Sequence, residues 1–285
     1  MAQIEVRNLK YRYPDAKRLA LDDVSCQIER GEFVGVIGRN GAGKSTFTQA
    51  LLGLVPNFYH GAYGGSVTID GQNVRESSVD ELCRKVGLVF QNPFNQVTGS
   101  KLTVYEEIAF GLENFGVPPK EMRRRIDAAM ELLDIAQYKD RAPFDLSGGQ
   151  MQRMALAGII VMEPEVIVMD EPTSQLDPQG SEDVFRAVDV LRAQGKTIVM
   201  VEHKIEKIAA YSDRVMLLDE GRLVAMDTPR AIFSRDDLAE HGAVAPTYTQ
   251  ICRQLGVRSA DGLYPVTLEE TRSLLGAGGR GGEVR

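Results

Sequence analysis

The sequence predicts an α/β fold built on a parallel sheet with helices against its faces. Short continuous apolar runs recur at residues 33–37, 86–90, 166–169 and 198–201, and stretches of helical spacing separate them. A glycine-rich turn directly follows the first run, where a buried strand feeds a loop and then a helix.

Ahead of that sheet, Ile4, Val6 and Leu9 and then Val24, Cys26 and Ile28 roughly alternate with polar residues. This pattern suits half-buried antiparallel strands, with Pro14-Asp15 turning the chain between them. Residues 103–162 read as mostly helical. Met122, Ile126, Ala129 and Leu133 share one face, and Pro118-Pro119 stands near the start. This region is expected to be a helical subdomain, about residues 92–164, inserted into the sheet domain. Further on, Glu220-Gly221 turns a hairpin between residues 215–218 and 223–225.

The main domain is therefore expected to span residues 1–228, followed by a small helical extension over 229–275. In the extension, Tyr248, Ile251, Cys252 and Leu255 fall at i, i+3, i+4 and i+7 of an amphipathic helix. Thr267 and Glu270 form a capping box for another short helix carrying Leu268, Leu274 and Leu275. Residues 276–285 are glycine-rich and expected to be a disordered tail.

Composition narrows the function classes. The 285 residues carry 33 Lys and Arg against 40 Asp and Glu, a net charge of −7. That balance disfavours a protein made to coat nucleic acid or an anionic membrane. Cys26, Cys83 and Cys252 match no metal-site or disulfide spacing, and the first residues lack a signal-peptide layout. The longest greasy stretch, 154–162, is half of a membrane span. The expectation is a soluble protein of a reducing compartment, connected to any membrane through a partner.

Chemistry concentrates in three segments. Gly38-Arg39-Asn40-Gly41-Ala42-Gly43-Lys44-Ser45 satisfies G-x-x-x-x-G-K-S/T between an apolar strand and a helix, which marks a phosphate loop. Its backbone N–H groups can face one anion, Lys44 can reach the β- and γ-phosphates, and the Ser45 hydroxyl can ligate Mg²⁺. The run 166–169 ends in Asp170-Glu171. Asp170 would hold Mg²⁺ beside the loop, and Glu171 could polarise the attacking water as general base. Leu146-Ser147-Gly148-Gly149-Gln150 opens a helix whose hydroxyl and glycine amides suit a second anion. Taken alone, the same residues would also serve as an ordinary helix cap.

Together these segments resemble the ATPase subunits of ATP-binding cassette (ABC) transporters, from about Ile4 to Thr228 and in the family's order. Gln91 matches the glutamine loop, and Ser147, Gly148, Gly149 and Gln150 match the signature. Ser174 and Asp177 match the D-loop, with Gln175 where alanine or glycine is more usual. His203 matches the switch histidine, and Tyr13 sits where the family stacks an aromatic on adenine, with Thr46 completing the nucleotide-binding segment. The resemblance implies a phosphate-loop ABC cassette of mixed sheet, antiparallel β subdomain and helical subdomain. It also implies a head-to-tail dimer holding two ATP and Mg²⁺, each ATP meeting the phosphate loop of one subunit and the signature of the other. His203 would contact the γ-phosphate, and Gln91 would link Mg²⁺ or water to the transport partner.

Phe90-Gln91-Asn92-Pro93-Phe94-Asn95-Gln96, the stretch from Thr103 to Gly111, and the extension with Pro246 and Pro265 are similar to the ATPases of energy-coupling factor transporters. That likeness implies an importer of vitamins or transition-metal ions, with the 229–275 extension as a dimerisation element. Its partners would be a second ATPase, a transmembrane coupling subunit and a separate membrane substrate-binding subunit, and its place the cytoplasmic face of the cell membrane. An ordinary ABC importer or exporter is the alternative. A DNA-acting member is disfavoured because too few residues lie between Gln91 and Ser147 for a long coiled-coil arm, and a ribosome-acting one because the chain has one cassette. No nucleic-acid partner is expected.

Overall fold

The computed structural model describes residues 2–278. Strands β1 (Ala2–Arg12) and β2 (Leu21–Glu29) pair antiparallel. With β4 (Ala62–Ile69) and β5 (Gln72–Asn73) they form a four-stranded sheet in the order β2-β1-β4-β5. The alternation of apolar residues continues to Val6 and resumes at Leu9, because a bulge shifts the β1–β2 register between them.

The second sheet contains β3 (Phe33–Ile37), β6 (Val86–Val89), β7 (Val166–Asp170), β8 (Thr197–Val201), β9 (Arg214–Asp219) and β10 (Arg222–Asp227). Its order is β10-β9-β3-β8-β7-β6, parallel throughout except for the β9–β10 hairpin. Strands β3, β7 and β8 are buried along their whole length, which is why they read as unbroken apolar runs. Alternate residues serve different cores. Val166 and Val168 face the antiparallel sheet and helix α1 (Lys44–Leu51), while Ile167 and Met169 face a layer of larger helices.

The remaining helices follow in chain order. Short α2 (Leu54–Asn57) and α3 (Val79–Lys85) precede β6. Then come α4 (Val104–Asn114), α5 (Pro119–Leu132) and α6 (Gly148–Ile160), which pack on one another through Ile108, Leu112, Ile126, Met130, Met151 and Met154. Helix α7 (Pro178–Ala193) follows β7, and α8 (Ile205–Tyr211) follows β8.

The expected boundary at residue 228 falls between β10 and α9 (Pro229–Phe233). Ile232, Phe233 and Leu238 nevertheless sink into the core that covers the parallel sheet. Beyond them, α10 (Thr247–Gln254) buries Thr249 and Cys252 and leaves Ile251 and Leu255 exposed, so its apolar stripe is split. The Thr249 hydroxyl donates to the Pro265 carbonyl at 2.6 Å, which lets a polar residue face inward. Helix α11 (Leu268–Gly278) starts with the expected Thr267–Glu270 box. It runs past Gly276, and the rest of the expected tail, 279–285, lies outside the described residues. Among the described residues no helix is long and apolar enough to cross a membrane.

Candidate functional site

Parallel sheets present ligands at the carboxyl ends of their strands, and four such ends converge here. β3 runs into the glycine loop, β6 leads to Gln91, β7 ends in Asp170, and β8 leads through Glu202 to His203. Tyr13, Asn40, Gly41, Gly43, Lys44, Ser45, Thr46, Gln91, Glu171 and His203 line one open cleft of about 460 Å³.

The loop's shape depends on its glycines. Gly38 has φ +143 and Gly43 φ +98. A Cβ at Gly38 would lie 2.0 Å from the Leu218 carbonyl oxygen, and one at Gly43 2.4 Å from that of Ala20. Gly43 caps α1 without any side-chain hydrogen bond, so the first amides of that helix stay open to an anion. Ala42 is buried beneath the loop, and its carbonyl accepts from the Gly221 N–H. Lys44 Nζ donates to the carbonyls of Gly38 (2.9 Å) and Arg39 (3.0 Å), which holds the ammonium against the loop. Burial lowers its pKa, against the opposing pull of Glu171 and Asp170. Tyr13 is fixed at the cleft's edge: its hydroxyl reaches Thr46 Oγ1 at 3.2 Å and Gln49 Oε1 at 3.1 Å, and its ring stands edge-on to Tyr11.

Opposite the loop, Glu171 is held from both sides. Gln91 Nε2 donates to Oε2 at 2.6 Å, and His203 Nε2 lies 2.9 Å from Oε1. Its own backbone takes φ +49 while the N–H donates to the Val201 carbonyl, which turns the chain sharply out of the sheet. Glu202, immediately before the histidine, is buried and accepts from the Thr173 hydroxyl at 2.9 Å.

Asp170 differs from its neighbour. It is buried, and Oδ1 has no hydrogen-bond partner among the protein groups. Burial raises its pKa, while a hydrogen bond from Ser45 and the charge of Lys44 pull the other way. An orphaned carboxylate oxygen beside a hydroxyl fits a hard divalent cation. Among the described residues no three His, Cys, Asp or Glu gather to hold a metal by themselves. A cation here would take its remaining oxygens from a phosphate ligand and water, as Mg²⁺ commonly does.

The other expected segments lie outside this cleft's lining. Ser147 caps α6 in a full capping box: its Oγ accepts from Gln150 N (3.3 Å), and Gln150 Oε1 accepts from Ser147 N (3.0 Å). Asp177 caps α7 by accepting from Gly180 N at 2.7 Å, and Ser174 is exposed beside it. The two segments adjoin. A Cβ on Gly148 would lie 3.0 Å from Gln175 Oε1, and one on Gly149 3.1 Å from Leu176 Cδ2.

Several supporting contacts escaped the sequence reading. Arg39 leaves the phosphate loop to pair with Asp219 (2.7 Å) and to donate to the Glu240 carbonyl, while His241 Nδ1 meets the same aspartate at 2.9 Å. The contact of Thr173 with Glu202, and those of Gln96 and Gln152 with Phe90, are likewise not given by the sequence. A buried glutamate directly before a candidate site histidine was a usable signal for the first pair. Nothing local marked the others.

Comparison with known proteins identifies the family. A family model described as ABC transporter matches residues 21–174. An ABC transporter ATP-binding protein of Pyrococcus abyssi is 43% identical over 269 residues, 94% of this chain and 95% of the relative. An energy-coupling factor transporter ATP-binding protein of Latilactobacillus sakei is 45% identical over 232 residues, 81% of this chain and 80% of its own. Among solved structures, cbiO1 from Clostridium perfringens, part of the ABC transporter complex cbiONQ, aligns with a TM-score of 0.71 at 34% identity over 84% of this chain and 93% of that one. A dimeric ATP-binding cassette in a post-hydrolysis state with ADP and Pi aligns with a TM-score of 0.69 at 28% identity, over 80% and 99%.

Proposed function

The chain belongs to the ABC transporter family as one of its transport-coupled ATPases, and from that premise we propose that it energises an importer of the energy-coupling factor type. The cargo class is a vitamin or a transition-metal ion. The observation that carries the catalytic reading is Glu171 held between Gln91 and His203 across from the phosphate loop. Relatives named for energy-coupling factor transport, and a structural neighbour from the cbiONQ complex, support the subtype.

In this reading the triphosphate lies over the open amides of α1, with the adenine near Tyr13 and Lys44 turned from its own loop carbonyls to the β- and γ-phosphates. Asp170 and the Ser45 hydroxyl would hold Mg²⁺, with Gln91 beside them; when bound, the ion neutralises phosphate charge. Glu171 accepts a proton from water as the water oxygen bonds to the γ-phosphorus and the bond to the β–γ bridging oxygen breaks, leaving ADP and phosphate. Gln91 and His203 keep the carboxylate aimed, and His203 is placed to meet the γ-phosphate. Ser147, Gly148, Gly149 and Gln150 of a second ATPase close the site from the far side, with Ser174 and Asp177 of the D-loop at the seam.

A membrane coupling subunit would dock on the groove between the segment after Gln91 and helices α4 and α6. The groove is lined by Val97, Phe110, Met154 and Met162 and bordered by Glu107. The two acids at the start of α4 differ. Glu106 accepts from the Leu102 and Thr103 amides and completes the capping box of α4, whose N-cap is Thr103. Glu107 binds Thr98 through its N–H (2.6 Å) and hydroxyl (2.9 Å), so it tethers the groove's rim. An arginine from the membrane partner would compete there for a carboxylate already placed by the fold.

Purification of the chain from membranes with its associated proteins tests the assignment. A multi-span coupling subunit together with a separate small membrane binding protein is the expected set. Recovery with a soluble substrate-binding protein and two permease subunits would instead mark an ordinary ABC importer. Uptake by the reconstituted complex should fall on Glu107→Gln far more than on Glu106→Gln, with ATPase activity of the free chain retained in both.

A further inference from the structure

Phe90 links β6 to Gln91, and its peptide groups lie beyond the last ladder residue, Val89. Both are nevertheless satisfied, and both by glutamine side chains. The Phe90 N–H donates to Gln96 Oε1 at 3.3 Å, and the Phe90 carbonyl accepts from Gln152 Nε2 at 3.1 Å. Gln96 uses its other end as well, donating Nε2 to the Ala155 carbonyl at 2.9 Å. Gln152 and Ala155 both belong to α6, the helix that begins at Ser147. Gln152 is 1% exposed, and its Oε1 has no partner.

A primary amide offers two donors and an acceptor in one rigid plane, so it can hold a peptide group at fixed distance and direction. Two such amides, Gln152 on α6 and Gln96 bonded to α6 through the Ala155 carbonyl, grip the peptide groups on either side of Phe90, next to the residue that aims Glu171. The path from helix to general base is short: α6, Phe90, Gln91, Glu171. Every link after the helix is a hydrogen bond or a covalent step in the chain. A contact through apolar side chains would allow the helix to slide; a hydrogen-bonded clamp makes the strand exit follow it.

We infer that Gln96 and Gln152 are positioning residues that tie each subunit's general base to its own signature helix. This rests on the reading above, in which the signature meets the ATP of the partner while Glu171 serves the ATP of its own subunit. Engagement of α6 by the partner's nucleotide then sets where Gln91 holds Glu171. The two ATP sites of a pair communicate through the Phe90 peptide.

The test uses the full chain with Gln152→Leu and, separately, Gln96→Leu. For each, steady-state ATPase is measured against ATP concentration, with equilibrium ATP affinity and melting temperature alongside. Wild type is expected to show cooperative hydrolysis, with a Hill coefficient approaching about 2 for two coupled sites. Each variant should keep its ATP affinity, lose roughly 10- to 10²-fold in kcat through a displaced catalytic group, and fall to a Hill coefficient near about 1. Gln96 is half-buried, so its variant carries the test should the fully buried change at Gln152 prevent folding. A folded variant with wild-type kcat and cooperativity overturns the inference. So does a loss confined to ATP affinity, or non-cooperative hydrolysis by the wild type. The underlying assignment fails separately: Lys44→Ala would then leave ATP binding and turnover unchanged.

Discussion

Two helices of this chain begin where an anion could sit, and they begin differently. Helix α1 starts at Gly43, whose left-handed backbone supplies no side chain to its own first turn. Helix α6 starts at Ser147, which with Gln150 satisfies that turn from within. The first leaves its amides to a ligand and pairs them with a buried lysine. The second is already a finished cap. Its Ser147 hydroxyl accepts from Gln150 and still has one proton to donate, and the Gly148 and Gly149 amides are not used by the box. In the proposed reading, one chain would carry a strong anion site at α1 and a weaker one at α6 that is already capped from within. That asymmetry suits a nucleotide captured first by the loop and covered later by a partner.

The largest effect tests the chemistry that the strong end serves. Glu171→Gln should bind ATP normally and lose about 10²- to 10⁴-fold in turnover, the range for a missing general base. Single-turnover hydrolysis with parallel ATP titration checks this, and the variant should accumulate as an ATP-held pair by gel filtration. Turnover near wild type would remove Glu171 from the role.

Next come the glycines of the two ends. Gly38→Ala forces a Cβ to 2.0 Å from a backbone oxygen, so ATP affinity of the single chain should collapse and its melting point fall. Gly149→Ala meets the tip of Leu176 at 3.1 Å and the Gln175 carbonyl oxygen at an ordinary 3.7 Å. It should leave single-chain ATP affinity intact and reduce hydrolysis by the pair. Equal losses of affinity in both variants would erase the distinction between the two helix starts.

Ser147→Ala removes the cap and is expected to cost about 1 kcal/mol of stability, read by urea unfolding of the nucleotide-free chain. ATP affinity of the isolated subunit should not move.

The smallest effect comes from a third helix start. Helix α5 has no side-chain cap, but Glu121 in its first turn is bonded by Arg124 and Arg125, which hold its carboxyl down to about 2. A carboxylate with a depressed folded pKa adds stability above its ordinary value, and that stability is lost as pH falls toward the folded value. Melting temperature should therefore drop slightly more between the ordinary 4.5 and about 2 in wild type than in Glu121→Gln. Parallel curves would show that these arginines contribute nothing measurable.

These contrasts also show what a sequence discloses. The phosphate loop was legible because strand, glycines and lysine are contiguous and their spacing is set by one ligand. The capping box at Thr267 was legible as two residues three positions apart, and Ser147 as a cap, although the sequence left open whether Ser147 serves a ligand or its own helix. The stripe through Ile251 and Leu255 was misread in part, because Thr249 could turn inward once the Pro265 carbonyl was there to receive it. The Phe90 clamp was invisible. It joins residues 62 apart through a backbone carbonyl, which has no letter in the sequence. Side chains that serve another segment's peptide group leave no local spacing to detect.

The Arg39 contacts bear on how portable this cassette is. A cut at residue 228, where the sheets are complete, would remove Phe233 and Leu238 from the main core. It would also strip the Glu240 carbonyl from Arg39, beside Gly38, and His241 from Asp219, the aspartate that Arg39 pairs with. A chimera joined there would carry a phosphate loop braced on one flank only. A junction after Ala243 keeps those contacts and exchanges only the outer helices. Grafting between relatives, in the laboratory or by recombination, should thus respect a seam some fifteen residues later than the strand count suggests.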